Sequence, residues 1–381
     1  MDLILVITSI FILSYTFIGE TMLKNKRLLI FIIISFLILI GLMMIYSSSF
    51  IWAEYKFGNS FKYLFQQLLF VIIGYIILYI ILKLDSNIFY KYSKVFLLIA
   101  IVLLILVLIP GIGVIRNGSR SWFGIGPFGI QPSELMKIVL IIYSAKVLSN
   151  IKKVDTLKSV LKVLLIVFLV FFLIMLEPDF GTGLIIVMSV FILLFIAGLN
   201  IKYFYRFGIL GIIGIVFLIL IAPYRMDRIT SFLNPWKDPL GTGFQIIQSL
   251  YAIGPGGMFG TGYLGSRQKY FYLPEPQTDF IFSIICEEFG IFGALVVIAL
   301  FTILIISIFK LAIENDNLFK KYTIFGLGIS IAFQTILNLS VVVGLIPVTG
   351  VTLPFISYGG SSLLVTMTSI GIILNLSKNN N

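Results

Sequence analysis

The chain contains no histidine and only one cysteine, Cys286, among its 381 residues. These absences exclude zinc sites built from histidine and cysteine, nucleophiles activated by histidine, disulfides and CxxC redox pairs. Any acid–base chemistry must therefore use carboxylates, lysine or tyrosine. Cys286 lies inside an apolar run, where we expect a small packing residue and not a reactive thiol.

Charged residues are also scarce. They make up 11% of the chain, whereas hydrophobic residues make up 60% and the mean hydropathy is +1.13. An ordinary soluble domain is about 45–50% apolar, so the composition indicates a membrane protein. The formal net charge of +11 is spread over short loops between apolar runs. That distribution is typical of membrane topology signals and does not indicate nucleic-acid binding.

Ten apolar runs have roughly the length of a membrane span, which is about 20 residues. We expect an all-α polytopic bundle with spans near 28–46, 64–82, 95–113, 133–149, 161–177, 182–199, 207–222, 280–309, 323–344 and 362–376. A further run at 3–19 predicts an extra N-terminal span, because Asp2 replaces the basic start of a signal peptide and no A-x-A site follows. Residues 1–26 then form this span with a basic linker, and 27–381 form the main transmembrane domain.

The charge distribution predicts the orientation. Clustered cations such as Lys152 and Lys153 lie in short loops on one face, which we expect to be cytoplasmic together with the C-terminus. Three long segments rich in glycine and proline lie on the opposite, outer side, at 114–134, 223–279 and 344–362. Long structured loops are usually functional, so we expect the chemistry at the outer face.

Asp279 stands at the end of the large outer loop 223–279, immediately before an apolar run. With Thr278 as N-cap, it would lie in the first helical turn, where a negative charge is favoured. Apolar surroundings should raise its pKa, which suits a general base near neutral pH; an ordinary helix-start acid is the alternative. Deeper in the run, Glu287 and Glu288 are also candidate functional residues, because intramembrane acids usually have a function.

A second group of polar residues surrounds the start of the fourth span. Glu134 and Lys137 are three residues apart, the spacing at which a carboxylate and an ammonium meet on one helix face. Mutual neutralisation and a direct catalytic role both remain open. Trp122 is either an interface anchor or a wall for a sugar ring. The stretch EPDFGTG at 177–183 places two more acids at a break between spans.

The large outer loop also supplies cations, namely Arg225, Arg228, Arg267 and Lys269. They either meet anionic headgroups or neutralise a phosphate or pyrophosphate, to which arginine geometry is well suited. The same loop contains GFQIIQSLYAI, in which apolar residues share one helical face and Ser249 lies off it. This pattern predicts a helix along the membrane surface.

Segment 344–362 contains two prolines and four glycines between two spans. It therefore cannot form a continuous helix. Non-helical backbone near a membrane is tolerated only where it is buried in protein or lines a cavity. We expect this segment to form a wall of the site.

Four stretches together resemble the SEDS family, which includes RodA, FtsW and SpoVE. They are NGSRSWFGIGPFGIQPSELMK, EPDFGTG, YRMDRITSFLNPWKDPLGTGFQ followed by LPEPQTDFIF, and GLIPVTGVTLPFISYGGSS. The resemblance runs from about 28 to 376 and is closest to the FtsW and SpoVE branch, within it to SpoVE. It implies a ten-span peptidoglycan glycosyltransferase of the bacterial cytoplasmic membrane, serving cell division or spore cortex synthesis. It also implies two partners, lipid II as substrate and a class B penicillin-binding protein.

The resemblance assigns roles to particular residues. Asp279 matches the essential aspartate of the family's TDFIF motif. Trp122, Glu134 and Lys137 match the tryptophan and the acid–lysine pair of the RW and QPSE motifs. Arg120, which precedes Ser121, is counted among the substrate-binding candidates; many members have an arginine where Ser121 stands.

The implied reaction is glycosyl transfer with Asp279 as base. It would take the proton from the 4-hydroxyl of the acceptor GlcNAc as that oxygen attacks the anomeric carbon of the donor MurNAc. Arg225, Arg228, Arg267 or a divalent cation such as Mg or Mn would offset the charge of the departing pyrophosphate. Two alternatives are a lipid II flippase and a non-catalytic scaffold for the penicillin-binding protein. The outward clustering of the acids favours the enzyme.

Overall fold

The computed structural model describes residues 26–116, 118–124, 129–221 and 223–378. The predicted span at 3–19 and most of the linker after it lie outside these residues. The described helices, in chain order, are α1 (Lys26–Phe57), α2 (Lys62–Lys83), α3 (Asn87–Leu108), α4 (Pro132–Ser149), α5 (Leu157–Leu176), α6 (Phe180–Ile196), α7 (Ile201–Ile221), α8 (Pro223–Leu233), α9 (Phe244–Ile253), α10 (Ile281–Ile313), α11 (Leu318–Val342) and α12 (Gly360–Leu376). Short 3₁₀ turns follow α8 at Pro235–Lys237 and α9 at Gly254–Gly256.

A helix occupies each of the ten predicted spans, as α1 to α7 and α10 to α12. Six of them, α1, α2, α3, α5, α10 and α11, are long and apolar enough to cross a membrane by length and composition. Large apolar side chains on the outside of the bundle are exposed, for example Phe65 at 60%, Leu98 at 64% and Phe172 at 61%. Such surfaces suit lipid contact. The all-α membrane fold is confirmed, whereas the number of spans stays a prediction.

Helix α11 lies at the centre of the bundle and packs against α4, α6, α10 and α12. It carries Gln334 and Asn338, one helical turn apart and almost completely buried. A buried amide is unfavourable unless it is hydrogen-bonded. Both amides bond to non-helical segments at one end of the bundle, so α11 anchors the irregular part of the fold.

Helix α1 extends to Phe57, well past the predicted end near residue 46. Its 32 residues span about 48 Å, whereas the hydrocarbon core of a bilayer is about 30 Å thick. Hydropathy could not predict this extension because the added residues mix apolar and aromatic side chains with serines and charges. Packing stabilises it instead: the rings of Trp52 and Tyr55 lie 5.5 Å and 5.4 Å from the ring of Phe271 in the large outer loop.

A small β-hairpin interrupts the all-α fold within segment 114–134. Strand β1 (Val114–Arg116) pairs antiparallel with β2 (Ser119–Trp122), and Arg116 lies opposite Ser119. The two residues between the strands are Asn-Gly in the sequence, which is a strong hairpin signal. The sequence interpretation of this segment as a loop missed that signal.

Helix α10 is broken at Gly290, whose φ of 63° and ψ of −158° lie outside the helical region. Loop 256–262 satisfies the backbone groups near the break. The amides of residues 291 and 292 donate to carbonyls of 257 and 258, at 2.9 Å and 3.1 Å. The carbonyls of 287 and 288 accept from the amides of 261 and 262, at 2.9 Å and 3.0 Å. The loop therefore replaces the hydrogen bonds that the break removes.

Gly290→Ala should destabilise the fold, because its φ and ψ are accessible almost only to glycine. An added Cβ would also lie 2.6 Å from backbone atoms of Met258 and Gly260. We expect a loss of about 2–3 kcal/mol, measured as a lower unfolding temperature in detergent. The control is Gly208→Ala in α7, where a Cβ meets nothing within 4 Å. It should be neutral or stabilising by up to about 1 kcal/mol, and equal effects at both sites would contradict this account of the break.

Candidate active site

Asp279 lies just before α10, whose N-cap is Phe280. The prediction that Thr278 caps this helix and that Asp279 occupies its first turn is wrong. The Thr278 hydroxyl instead donates to the carbonyl of Glu275 at 2.8 Å, in a turn where Glu275 has a φ of 42°. The carbonyl of Asp279 accepts a hydrogen bond of 2.8 Å from Asn338 Nδ2. The backbone of Asp279 is thus fixed from the centre of the bundle.

The segment between α11 and α12 packs against this turn and is non-helical, as predicted. Asn338 Nδ2 also donates to the carbonyl of Val351 at 2.7 Å, and Gln334 Nε2 donates to that of Thr352 at 3.0 Å. Further along, the Ser357 hydroxyl donates to the carbonyl of Thr278 at 2.6 Å. Amides of α11 therefore satisfy backbone groups of the segment that a helix would have bonded internally, and the Ser357 hydroxyl attaches the segment to the turn before Asp279.

The Asp279 side chain is partly exposed and faces this segment. A Cβ placed on Gly350 would lie 3.8 Å from Asp279 Oδ2. Burial raises the pKa of Asp279 to about 6; the negative charge of Glu275 adds to this effect and Arg228 opposes it. An acid of this kind ionises near neutral pH and can accept a proton there. Arg228 is exposed on α8, and its Nη1 donates to the carbonyl of Val348 at 3.0 Å.

Glu134 and Lys137 form the ion pair that their spacing predicts, with 2.8 Å between Lys137 Nζ and Glu134 Oε2. Both side chains are nearly buried. Lys137 Nζ also donates to Gln334 Oε1 at 2.7 Å, while the other end of that amide bonds Thr352. A chain of polar contacts therefore connects the ion pair to the segment beside Asp279. The pair has a structural role here, and its part in catalysis stays a prediction.

Glu177 and Asp179 lie between α5 and α6, next to the same segment. Asp179 is the N-cap of α6 and accepts from the Thr182 amide at 3.1 Å and from Gln131 Nε2 at 2.7 Å. Glu177 is fully buried, and neither carboxylate oxygen has a hydrogen-bond partner among the described residues. Burial, with the charge of Asp179 adding to it, raises the pKa of Glu177 to about 9. Glu177 is therefore neutral at physiological pH.

The hairpin brings a cation to the site that the sequence interpretation missed. The guanidinium of Arg116 lies 4.9 Å from the centre of the Trp122 ring. Arg116 also faces Tyr358: burial raises the pKa of Tyr358 to about 12, and the charge of Arg116 opposes that rise. The amide of Tyr358 donates to the carbonyl of Gln277 at 2.8 Å, only two residues before Asp279. The hairpin signal could have identified Arg116, since it places residue 116 beside the second strand.

Arg120 points elsewhere on the same hairpin. Its Cγ lies 3.0 Å from the position of a Cβ on Gly113, which follows the end of α3. Trp122 and Arg120 are both half-buried. The side chain of Arg225 lies outside the described residues, although the backbone of α8 carries it. Roles for these three residues in substrate binding stay predictions.

Lys269 is not placed to contact a substrate. Its side chain is fully buried, and Nζ lies 2.9 Å from Glu288 Oε1. The neighbouring Glu287 accepts from the Ser266 hydroxyl at 2.6 Å and from the Arg267 amide at 2.7 Å. Of the predicted cations, Lys269 therefore has only a supporting position, while the side chain of Arg267 remains exposed. The two acids contact the outer loop and not the group around Asp279.

Helix α9 forms where the pattern predicts, but its orientation differs. Ser249, expected off the apolar face, is fully buried; its hydroxyl donates to the carbonyl of Val342 at 2.7 Å. Leu250 and Tyr251 are instead exposed, at 37% and 49%. Packing against α10 and α11 decided the orientation, because a buried hydroxyl with a partner is tolerated in a helix interface.

Three or more metal-type ligands do not come together anywhere in the described residues. Magnesium, however, is often held by one or two carboxylates plus substrate phosphates. At this site burial and the negative charge of Glu275 act on Asp279 and raise its pKa.

Comparisons with known proteins were consistent with one another. A sequence profile for the FtsW, RodA and SpoVE family, described as cell cycle proteins, matches residues 27–381. The chain is 50% identical to stage V sporulation protein E of Bacillus subtilis over 356 residues, which cover 93% of this chain and 97% of that protein. It is 37% identical to "Probable peptidoglycan glycosyltransferase FtsW" of Saccharophagus degradans over 348 residues, 90% of each chain.

Two solved structures are similar in fold. One, described as the structural coordination of polymerization and crosslinking by a peptidoglycan synthase complex, has a TM-score of 0.74 at 29% identity, covering 91% of this chain and 96% of that chain. The other is the rod shape determining protein RodA of Thermus thermophilus, with a TM-score of 0.68 at 26% identity, covering 91% and 95%. The similarity thus extends over nearly the whole chain.

Asp279→Asn should stabilise the protein at pH 8. Because the folded-state pKa of Asp279 is raised to about 6 from the ordinary 3.8, its contribution to stability is present at low pH and lost as the pH rises through about 6. At pH 8 the free energy of unfolding of the asparagine variant should therefore exceed that of wild type by about 1–2 kcal/mol. Its unfolding temperature should be correspondingly higher. At pH 4 the two should unfold alike.

Asp238→Asn provides a control of opposite sign. Hydrogen bonds from the Thr242 amide, with smaller contributions from other donors nearby, lower the pKa of Asp238. The contribution of this group to stability is present at pH 8 and is lost as the pH falls. Its variant should therefore unfold at a lower temperature than wild type at pH 8. An Asp279→Asn protein no more stable than wild type at pH 8 would contradict the assignment of the raised pKa.

Proposed function

The chain belongs to the FtsW, RodA and SpoVE family, and on that basis we propose that it is a peptidoglycan glycosyltransferase with Asp279 as its general base. The observation that carries the proposal is the position of Asp279. Its carboxyl is partly buried at the end of a broken helix, beside non-helical backbone, and has a pKa of about 6. A base works best when its pKa lies near the working pH.

The substrate class follows from this location. A lipid-linked sugar presents its reacting atoms just outside the hydrocarbon core, and Asp279 precedes an apolar helix at that level. Lipid II, the undecaprenyl-pyrophosphate-linked disaccharide peptide, is therefore the proposed substrate. Asp279 takes the proton from the 4-hydroxyl of the acceptor GlcNAc. The hydroxyl oxygen forms a bond to the anomeric carbon of the donor MurNAc, and the bond from that carbon to the pyrophosphate breaks.

The surrounding residues hold the base in place and leave it able to ionise. Asn338 fixes its backbone, and Gln334 positions the adjoining segment through Thr352. Lys137 binds Gln334 and Glu134, so that no uncompensated charge remains on this ion pair. Placement of catalytic groups to within about 1 Å is decisive for rate, and this network supplies it.

Arginines around the site suit the leaving pyrophosphate. Arg228 lies on one side of segment 344–359, where it bonds Val348 and faces Asp279. Arg116 lies on another, above Trp122 and facing Tyr358. Guanidinium groups bind phosphate oxygens in a bidentate way and stay charged at all relevant pH values. They stabilise the charge that develops as the donor bond breaks.

A divalent cation remains a proposal for the same task. The oxygens of the substrate's pyrophosphate would hold it, and Asp279 stays free to act as the base. Such an ion, Mg or Mn, supplies Lewis-acid neutralisation of the leaving group.

The chain is a multi-pass membrane protein, and we place its active face outside the bacterial cytoplasmic membrane with the C-terminus in the cytoplasm. The solved structure with a TM-score of 0.74 belongs to a complex that coordinates polymerisation with crosslinking. A crosslinking transpeptidase, a class B penicillin-binding protein, is accordingly the proposed partner. Its presence belongs in any activity assay.

Asp279→Asn should abolish polymer formation, because an amide cannot accept the hydroxyl proton. The measurement is a gel assay for glycan polymer from purified protein and lipid II, with and without a class B penicillin-binding protein. Asp279→Glu should recover little, since one extra methylene moves the carboxylate. For wild type, the rate should fall as the pH drops below about 6 and the base becomes protonated.

Folding and partner binding of the variants are the controls, measured by thermal unfolding and co-purification. Equal polymer from wild type and Asp279→Asn would move the search for the base to Glu134 or Asp179. If wild type makes no polymer even with its partner present, the proposed glycosyltransferase activity is contradicted. Vesicles with labelled lipid II would then separate a flippase from a scaffold.

Arg116→Gln should raise KM for lipid II and lower kcat, so that kcat/KM falls by about 10-fold, because it removes a charged contact that holds the pyrophosphate and offsets the charge that develops on it. The matched control is Lys56→Gln. Lys56 is an exposed cation that also lies above a tryptophan ring, 5.5 Å from that of Trp52, but at the end of α1. Its kcat/KM should stay near that of wild type. Equal shifts in both variants would assign the effect to general surface charge.

A further inference from the structure

A second group of charged residues is fully buried and takes no part in the reaction described above. Lys269 and Glu288 form an ion pair of 2.9 Å, and neither side chain has any exposed surface. The Ser47 hydroxyl, from α1, lies 2.6 Å and 2.7 Å from the two carboxylate oxygens of Glu288. The Phe50 ring lies 5.1 Å from Lys269 Nζ. Three parts of the chain therefore meet at one ion pair.

The burial of two charges needs a reason, because removing them from water costs more than an apolar pair of similar size. Such a pair can instead specify one geometry, since it is satisfied in only one arrangement. Its location indicates which geometry is specified. Glu288 lies two residues before the break of α10 at Gly290, and the carbonyl of Glu288 is bonded to the outer loop.

The break divides α10 into a short half, 281–289, and a long half, 291–313. Asp279 is attached to the far end of the short half, nine residues from Glu288. At about 1.5 Å per residue, this distance is about 13 Å. A change in tilt of about 10° then displaces one end relative to the other by about 2 Å. A misplacement of about 1 Å is enough to lower a rate by about 100-fold.

The two ends of the short half are held separately. Asn338 bonds the carbonyl of Asp279 at one end. At the other end, backbone bonds join the half-helix to loop 256–262, and the ion pair with Ser47 attaches it to α1. Loosening the second end must turn the short half about the first, which redirects the Asp279 carboxylate. The carboxylate faces Glu275 of the preceding turn and Arg228 of α8, so a new direction changes both of its charged neighbours.

We propose that Lys269 and Glu288 are positioning residues, which set the tilt of the short half-helix and thereby the direction of the Asp279 carboxylate. The proposal rests on the proposed function, because its effect is on glycosyl transfer. It differs from a stabilising role in one respect. A lost stabiliser lowers the amount of folded protein, whereas a lost positioning group alters the kcat and the pH dependence of the protein that is folded.

The decisive variant is the double change Lys269→Met with Glu288→Gln. Removing both charges leaves no unpaired buried ion, so the unfolding temperature should return close to that of wild type even if each single variant is unstable. We expect its kcat for polymer formation to remain about 10- to 100-fold low, with KM for lipid II within about threefold of wild type. The acid limb of its pH profile should move away from the wild-type position near pH 6, because a new direction of the Asp279 carboxylate changes its distances to Glu275 and Arg228.

A milder variant and a control complete the experiment. Ser47→Ala keeps both charges but removes the contact from α1, and it should shift kcat and the acid limb in the same direction by a smaller amount. Lys153→Met breaks an exposed ion pair with Asp155, 3.0 Å long, and should leave kcat and the pH profile unchanged.

Different outcomes would contradict the proposed function and the positioning role. Wild-type protein that makes no polymer with its partner present refutes the proposed function. If wild type is active, a folded double variant with wild-type kcat and pH profile overturns only the positioning role. Should the double variant not accumulate, Ser47→Ala decides in its place: a kcat and an acid limb equal to those of wild type overturn the proposal.

Discussion

The structure depends on one constraint: inside or beside a bilayer, a backbone amide or carbonyl that leaves a helix must find another partner. The active end of this bundle departs from helical structure at two places, the segment between α11 and α12 and the break in α10. Gln334 and Asn338 bond the first, and loop 256–262 bonds the second. These bonds satisfy the backbone groups that no helix satisfies.

This requirement also produces the chemistry. The non-helical backbone leaves space for the carboxylate of Asp279. A continuous helix at the same height would fill that space with its own turns. Burial then raises the pKa of that carboxylate towards neutral pH. The acids of this chain differ in their surroundings. Glu287 and Glu288 are held by hydrogen bonds, and Glu288 by Lys269 as well. The carboxylate oxygens of the buried Glu177 have no hydrogen-bond partner among the described residues, and burial raises its pKa to about 9.

Sequence reasoning predicted the parts of this protein that follow from local pattern. Apolar length located the helices, and spacing predicted the contact between Glu134 and Lys137. It failed where contacts with a distant segment of the chain determine the local structure. Thr278 looked like a helix cap, but its hydroxyl bonds to a turn that only the folded loop creates. Lys269 looked like a surface cation until the fold placed it against Glu288. The end of α1 was missed because tertiary contacts stabilise it, whereas Arg116 was missed because the Asn-Gly hairpin signal was not used.

The length of α1 has a consequence for how the protein responds to its membrane. This helix projects well beyond the hydrocarbon layer, and it contacts the outer loop at several places, among them Phe50 with Lys269 and Trp52 with Phe271. Helix α1 therefore helps to set the height of the loop above the lipid surface, together with α10 and α11, against which α9 packs. A thicker or thinner bilayer would shift α1 along its axis or tilt it, and the loop would follow. Lipid composition is thereby coupled to the depth of the Asp279 carboxylate, the proposed base, relative to the lipid surface.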